Sequence, residues 1–180
     1  MEGKRVPQFV IRKATVDDTE AIRRMHAASW LATYPNDEHG VPYDWVKEYT
    51  DNWLTPEHLE KSKIYFGKAM DDPNGFYRVA ESDGEIVGFV HAATNEDESK
   101  ELKAIYTRPD MFGSGLGHQL MQSAAEWIGE AQANLEVAVY NQRAICFYEK
   151  YGFRKVPGTE YLYRDKIPVI KMIREVSNEV

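Results

Sequence analysis

The sequence predicts an α/β (α+β) protein with strands and helices interleaved in one domain. Three stretches make that case. From Leu102 to Gly117 an apolar, β-branched run meets Arg108-Pro109 and then a glycine cluster. Leu116, Leu120, Ala124, Trp127, Ile128 and Ala131 follow at helical spacing, so a strand feeds a helix through a Gly-rich loop. Residues 76–81 and 85–94 read as two strands joined by Ser82-Asp83-Gly84, whose Asp-Gly pair is a hairpin signal. Between the first strand and that hairpin lie three segments that read as helices, two of them opened by N-cap signals.

In chain order, Phe9 to Lys13 alternates apolar and polar residues and reads as a strand. Thr15 and Asp18 form a capping-box pattern that opens a helix over 16–32, with Ile22, Met25, Ser29 and Leu31 near its inner face. Tyr34 to Gly40 breaks both periodicities with Pro, Asn and Gly. A short helix follows over 43–52. Thr55-Pro56 then supplies an N-cap and a first-turn proline for a helix to about Met70. After the hairpin come a strand over 100–107, a helix over 115–131, a strand over 135–140 and a helix over 142–151. Gly152 stands where a left-handed helix cap belongs. Strands over 153–156 and 167–174 close the chain, with a loop from Pro157-Gly158 between them. The domain is expected over 9–174, with tails at 1–8 and 175–180.

The glycine loop carries the first chemical signal. Gly113, Gly115 and Gly117 leave main-chain N–H groups bare beside a helix N-terminus, an arrangement that favours an anion such as a phosphate. A nucleoside-triphosphate loop would need Gly-Lys-Ser/Thr, which is missing here. A dinucleotide fingerprint has a different glycine spacing and sits near the start of its unit. On glycines alone, a plain strand-to-helix turn remains open.

A second stretch narrows the choice. Asn141, Ala144, Phe147, Tyr148, Gly152 and Phe153 follow the strand at 135–140. Together the two stretches resemble the GNAT superfamily of N-acetyltransferases, namely its acetyl-CoA pyrophosphate loop, [QR]-x-x-G-x-[GA], and its N-x-x-A-x-x-F-Y-x-x-x-G-F segment. His26, Ser29, Trp30 and Tyr34 resemble a pattern in members similar to bacterial polyamine acetyltransferases. The resemblance spans roughly Phe9 to Ile173. It implies a mixed, mostly antiparallel sheet of about seven strands with helices on both faces. It also implies direct transfer of an acetyl group from acetyl-CoA to an amine in a ternary complex.

The same resemblance assigns roles. The backbone from Phe112 through Gly113, Ser114, Gly115, Leu116 and Gly117 would take the pyrophosphate, with His118 adjacent. Phe112 departs from the family's Gln or Arg, so a side-chain contact is lost there. Ile105 and Thr107 would offer pantetheine a strand edge, Ile105 being equally readable as core. Asn141 would hydrogen-bond pantetheine or simply cap its helix. Arg143 lies in the first turn of that helix, on a CoA phosphate or idle at the surface. Tyr148 is the expected acid for the leaving thiolate, the alternative being a core aromatic with its hydroxyl satisfied. Cys146 reads as a small buried packing residue. For the general base, Glu101 is the nearest carboxylate on the strand. It shares a strand face with Lys103, which occupies a position where family members often carry a carboxylate. His26 and a water relay are the alternatives. Trp30 and Tyr34, with Tyr43 and Trp45, would wall the acceptor pocket, and Asp37, Glu38 and Asp44 would add negative charge.

Composition excludes several other functions. The net charge of −7 argues against nucleic-acid and anionic-membrane partners and suits a cationic acceptor. A single cysteine leaves no disulfide framework and no multi-cysteine metal site, so no metal is expected. With no apolar run near membrane length and no leader pattern, a cytoplasmic protein is expected. A homodimer joined through sheet edges or the C-terminal strands is compatible with the fold. A non-catalytic acyl-CoA-binding protein on the same fold is the competing reading.

Overall fold

The computed structural model describes residues 8–176. Of the expected tails at 1–8 and 175–180, residues 1–7 and 177–180 lie outside the described residues. The elements are β1 (Val10–Lys13), α1 (Thr19–Thr33), α2 (Tyr43–Asn52), α3 (Pro56–Asp71), β2 (Gly75–Ser82), β3 (Glu85–Thr94) and β4 (Lys100–Thr107). They continue as α4 (Leu116–Ile128), β5 (Ala133–Ala138), α5 (Gln142–Glu149), β6 (Arg154–Lys155), β7 (Tyr161–Tyr163) and β8 (Ile167–Arg174). A 3-10 turn, Val16–Asp18, precedes α1, and Asp18 Oδ2 accepts the Thr15 N–H at 2.8 Å. The capping pattern therefore ends one turn before the α-helix proper.

Among the described residues the sheet has eight strands, ordered β1-β2-β3-β4-β5-β8-β6, with β7 also paired to β8. The eighth strand was not predicted. β7 has only three residues, and its turn to β8 places Arg164 and Asp165 at φ 54° and 55° without any glycine to announce it. All pairings are antiparallel except β4 with β5.

Helices cover both faces, because each strand's alternating residues supply an apolar row on either side. On one face α4 and α5 set Leu116, Leu120, Met121 and Ile145 against Val87, Val90, Leu135 and Met172. On the other, α1 and α3 set Ile22, Met25, Phe66 and Met70 against Tyr77, Val79 and Phe89. A third cluster joins Trp30, Val41 and Val46 to Ala138, Ile167 and Val169.

One irregularity shapes the middle of the sheet. His91 opposes Ala104 and Ala92 opposes Leu102, so Lys103 is an extra residue in β4. This bulge changes the face order. Leu102 and Ile105 join the α4 cluster, while Ala104 and Tyr106 turn to the α1 side. A bulge bends its strand and ends regular pairing. Accordingly, β4 and β5 pair only at Lys100 with Ala133 and Glu101 with Asn134, and then separate.

Candidate active site

The separation of β4 from β5 opens a cleft of about 590 Å3 through the sheet. Its walls come from β4, β5, the glycine loop, α5 and the C-terminal end of α1. Arg108 N–H donates to Val87 O at 2.8 Å, which sets the antiparallel alternation with β3. Tyr106 and Ala104 therefore turn their backbone groups toward β3. Those of Ile105 and Thr107 face the gap, where β5 no longer pairs with them.

At one end of the cleft lies the glycine loop. Gly113 and Gly115 sit at φ +79° and +89° with open space around each α-carbon. Only glycine holds that conformation without strain. Phe112 N–H donates to Pro109 O and Ser114 N–H to Met111 O, while Ser114 Oγ accepts from Leu116 N–H at 3.3 Å. The N–H groups of Gly113, Gly115, Gly117 and His118 find no acceptor among the described residues. Four free donors at the N-terminus of a 13-residue helix form a cradle for an anion. The loop thus fits a diphosphate, through three of the six amides expected to bind it, Gly113, Gly115 and Gly117, and through that of His118.

Further in, four phenols gather. Tyr34 and Tyr106 share a hydrogen bond between hydroxyls at 2.7 Å. Tyr140 donates its hydroxyl to Tyr34 O at 2.7 Å, which ties the end of α1 to the strand beyond the gap. Tyr148 projects from α5 into the cleft wall. Burial pushes its phenol above the ordinary value, and Tyr106 adds to the shift. Tyr34 is raised as well, again chiefly by burial. Both phenols are therefore neutral at physiological pH.

An acetyltransferase (GNAT) family model matches residues 21–153. The chain belongs to the GNAT acetyltransferase family. An uncharacterized N-acetyltransferase of Mycobacterium bovis is 34% identical over 116 residues, covering 59% of this chain and 73% of that one. The spermidine N(1)-acetyltransferase of Thermoplasma acidophilum is 24% identical over 164 residues, covering 87% and 96%. The mycothiol acetyltransferase of Streptomyces coelicolor is 37% identical over 118 residues, but these cover 62% of this chain and only 36% of that one. Among solved structures, the PaiA N-acetyltransferase of Thermoplasma acidophilum in complex with coenzyme A has a TM-score of 0.70 at 19% identity, covering 93% and 99%.

On this GNAT scaffold the remaining sequence candidates fall in different places. Asn141 Oδ1 accepts the Ala144 N–H at 3.2 Å, so it caps α5 while its side chain also borders the cleft. Glu101 is ion-paired to Lys103 at 2.7 Å, and of the two only Lys103 lines the cleft. Trp30 is buried behind the wall, its indole N–H without a partner among the described residues. Tyr34 faces the cleft in its place, with their rings 4.5 Å apart. His26 is enclosed by Tyr106, Trp53 and Phe89 at 4.2, 4.8 and 5.2 Å. Burial and the nearby Arg23 hold its pKa well below the ordinary value, which leaves it neutral. Cys146 is exposed and borders the cleft, contrary to its expected burial, because α5 turns that face away from the core.

One residue of the cleft wall escaped the sequence reading. Glu136 on β5 is the only carboxylate on the cleft wall among the described residues. Its neighbours Leu135 and Val137 point into the α4 core, so alternation puts Glu136 on the opposite face of the sheet. Tyr161 donates its hydroxyl to Glu136 Oε2 at 2.7 Å. Burial, followed by this hydrogen bond, raises the Tyr161 pKa to about 12. The available signal was a lone acid inside the apolar run Leu135 to Val139.

Proposed function

We propose that the protein transfers an acetyl group from acetyl-CoA to a primary amine, with small or polyamine-like acceptors preferred and peptide amines as the alternative. The observation that carries this reading is the single cleft joining a phosphate cradle, an unpaired strand edge, a phenol and a carboxylate. Acetyl-CoA supplies a thioester carbonyl and a thiolate leaving group. The amides of Gly113, Gly115, Gly117 and His118 hold the diphosphate, and the backbone of Ile105 and Thr107 aligns the pantetheine arm. Asn141 borders that arm while it caps α5.

Glu136 faces the acceptor side. Its Oε2 is engaged by Tyr161, which leaves Oε1 to orient the ammonium group and take its proton, directly or through water. Glu101, held by Lys103, adds negative charge to that side without reaching the cleft. Tyr148 acts toward the sulfur. Its raised pKa makes complete proton transfer to a thiolate unfavourable, so its main contribution is a hydrogen bond to the developing negative charge. Tyr34 walls the acceptor side, and Trp30 keeps its ring in place.

The preference for a cationic acceptor rests on Glu136, on the aromatic surroundings and on the net charge of −7. The likeness to a spermidine N(1)-acetyltransferase along most of both chains supports it. Among the described residues no group of three metal-ligating side chains is present, and this chemistry calls for none. No helix among them is long and apolar enough to cross a membrane. The cytoplasm is the setting we propose.

A thiol-release assay with acetyl-CoA tests the reading against polyamines, aminoglycosides, amino acids and short peptides. Amine-dependent release of free CoA is expected, fastest with polyamines. Release at the solvent hydrolysis rate with every acceptor would overturn transfer to these amines.

A further inference from the structure

We infer that Arg143, carried on the ring of Phe112, is the side-chain cation that holds the coenzyme's diphosphate in this protein. The inference rests on the acetyl-CoA reading above and names a contact that reading leaves open. The guanidinium carbon of Arg143 lies 3.9 Å from the Phe112 ring centroid. Both residues line the cleft, beside the free amides of Gly113 and Gly115.

Three facts support the assignment. The first is local electrostatics. Arg143 occupies the first turn of α5, where the helix dipole disfavours a cation. No carboxylate among the described residues pairs with it, and the aromatic face is what holds it there. The second is geometry. Stacking uses the flat face of a guanidinium and leaves the N–H groups on its edge free, and those match two phosphate oxygens at once. The third is charge supply. Of the other cationic side chains bordering the cleft, Lys103 is held by Glu101, and Lys150 stands past the far end of α5 from Arg143. His118 hydrogen-bonds Tyr151 through Nδ1 at 2.9 Å. A polyanion entering a protein of net charge −7 therefore meets few unpaired positive groups near the glycine loop. Phe112, where a polar Gln or Arg was expected, is then a platform that returns a cation to the loop from α5. Phe112 is a positioning residue, acting through Arg143.

Equilibrium binding tests this with wild type, Arg143→Ala, Phe112→Leu and the double variant. The ligands are acetyl-CoA, its 3′-dephospho form and S-acetylpantetheine. Arg143→Ala is expected to weaken acetyl-CoA and the 3′-dephospho form alike, by about tenfold or more, as for a charge-assisted hydrogen bond. Acetylpantetheine, which has no phosphate, should bind both proteins equally. Phe112→Leu should cost about threefold, and the double variant should be no worse than Arg143→Ala alone, since the ring acts through the cation. Affinity of Arg143→Ala for acetyl-CoA within twofold of wild type would overturn the inference. So would a loss confined to the ligand carrying the 3′-phosphate, or an equal loss with acetylpantetheine. Losses that multiply in the double variant would remove Phe112 from the assignment. Failure of wild type to bind acetyl-CoA would instead defeat the underlying reading of the cleft.

Discussion

At the scale of single residues, the proposed reaction assigns separate parts to Tyr148 and Glu136. Among the described residues no hydrogen bond uses the Tyr148 hydroxyl, which leaves it available to what enters the cleft, whereas the hydroxyls of Tyr140 and Tyr151 are engaged by Tyr34 O and His118. Tyr148→Phe should therefore lower kcat by about ten- to a hundredfold, the worth of one hydrogen bond to developing charge. The KM for acetyl-CoA should stay within about threefold, because the loop amides remain. Steady-state kinetics checks the split, and a fall in affinity equal to the fall in kcat would place Tyr148 in binding instead. Glu136→Gln should raise the pH needed for half-maximal rate, whereas Glu101→Gln should leave the profile in place. His91 gives a residue-scale prediction about stability. It is buried on β3 and stacked on Tyr77 at 4.7 Å. Burial lowers its pKa to about 4, with Lys103 adding to the shift and Glu101 and Asp72 opposing it. The unfolded chain takes up this proton near pH 6.5, before the native protein does. The stabilising contribution is thus complete above pH 6.5 and lost as pH falls toward 4, about 3 kcal/mol in all. Urea unfolding at pH 7, 6 and 5 should show the decline, and His91→Phe should flatten it in part. His26, also buried and neutral, contributes in the same sense.

Elements explain why some of this was legible in the sequence and some was not. The hairpin from β2 to β3, the strand–loop–helix of β4 and α4, and the cap of α5 are specified by local chemistry: Asp-Gly, clustered glycines and Asn141. The glycine loop and the cleft-lining positions of Ile105, Thr107 and Tyr148 follow from those elements. The bulge at Lys103 has no comparable local signature. It arises where β4 must serve two faces and two partners, and period-two counting along the strand cannot find it. Glu136 was missed for a related reason. Its significance comes from β5 leaving β4, and pairing between strands distant in sequence decides that. Trp30 shows the converse error, since an aromatic at helical spacing looks the same whether it lines a pocket or backs one. The glycine loop offers the element-scale test. Gly115→Ala forces a side chain into φ +89°, a strain on the order of 1–3 kcal/mol. Relief of that strain would rotate the neighbouring amides out of the cradle. Calorimetry should show acetyl-CoA affinity falling by at least tenfold, while the melting temperature falls by only a few degrees. Unchanged affinity would mean that the loop amides are not the phosphate ligands.

The whole molecule is a sheet in two halves. β1 to β4 form one and β5 to β8 the other, and two residue pairs join them before the strands part. The helices do not remove this seam, because the clefted side of α5 and the end of α1 line it rather than fill it. A ligand that lies along β4 and reaches both the α4 N-terminus and α5 would bridge the halves. Binding to the native state alone, at a hundred times its Kd, adds about 2.7 kcal/mol to stability. For a chain of this size that is a rise in melting temperature of roughly 5–10 °C. Acetyl-CoA should produce it. Adenosine 3′,5′-bisphosphate, at the same multiple of its own Kd, should match the thermal shift, because linkage depends only on saturation. Hydrogen exchange separates the two ligands. Acetyl-CoA should slow exchange at the Ile105 and Thr107 amides, which the parting of β5 leaves open. The bisphosphate, lacking the pantetheine arm, should leave them exchanging as in the free protein. Equal protection by both ligands would show that the seam closes by a general tightening of the sheet, and the strand-edge role of β4 would then be lost.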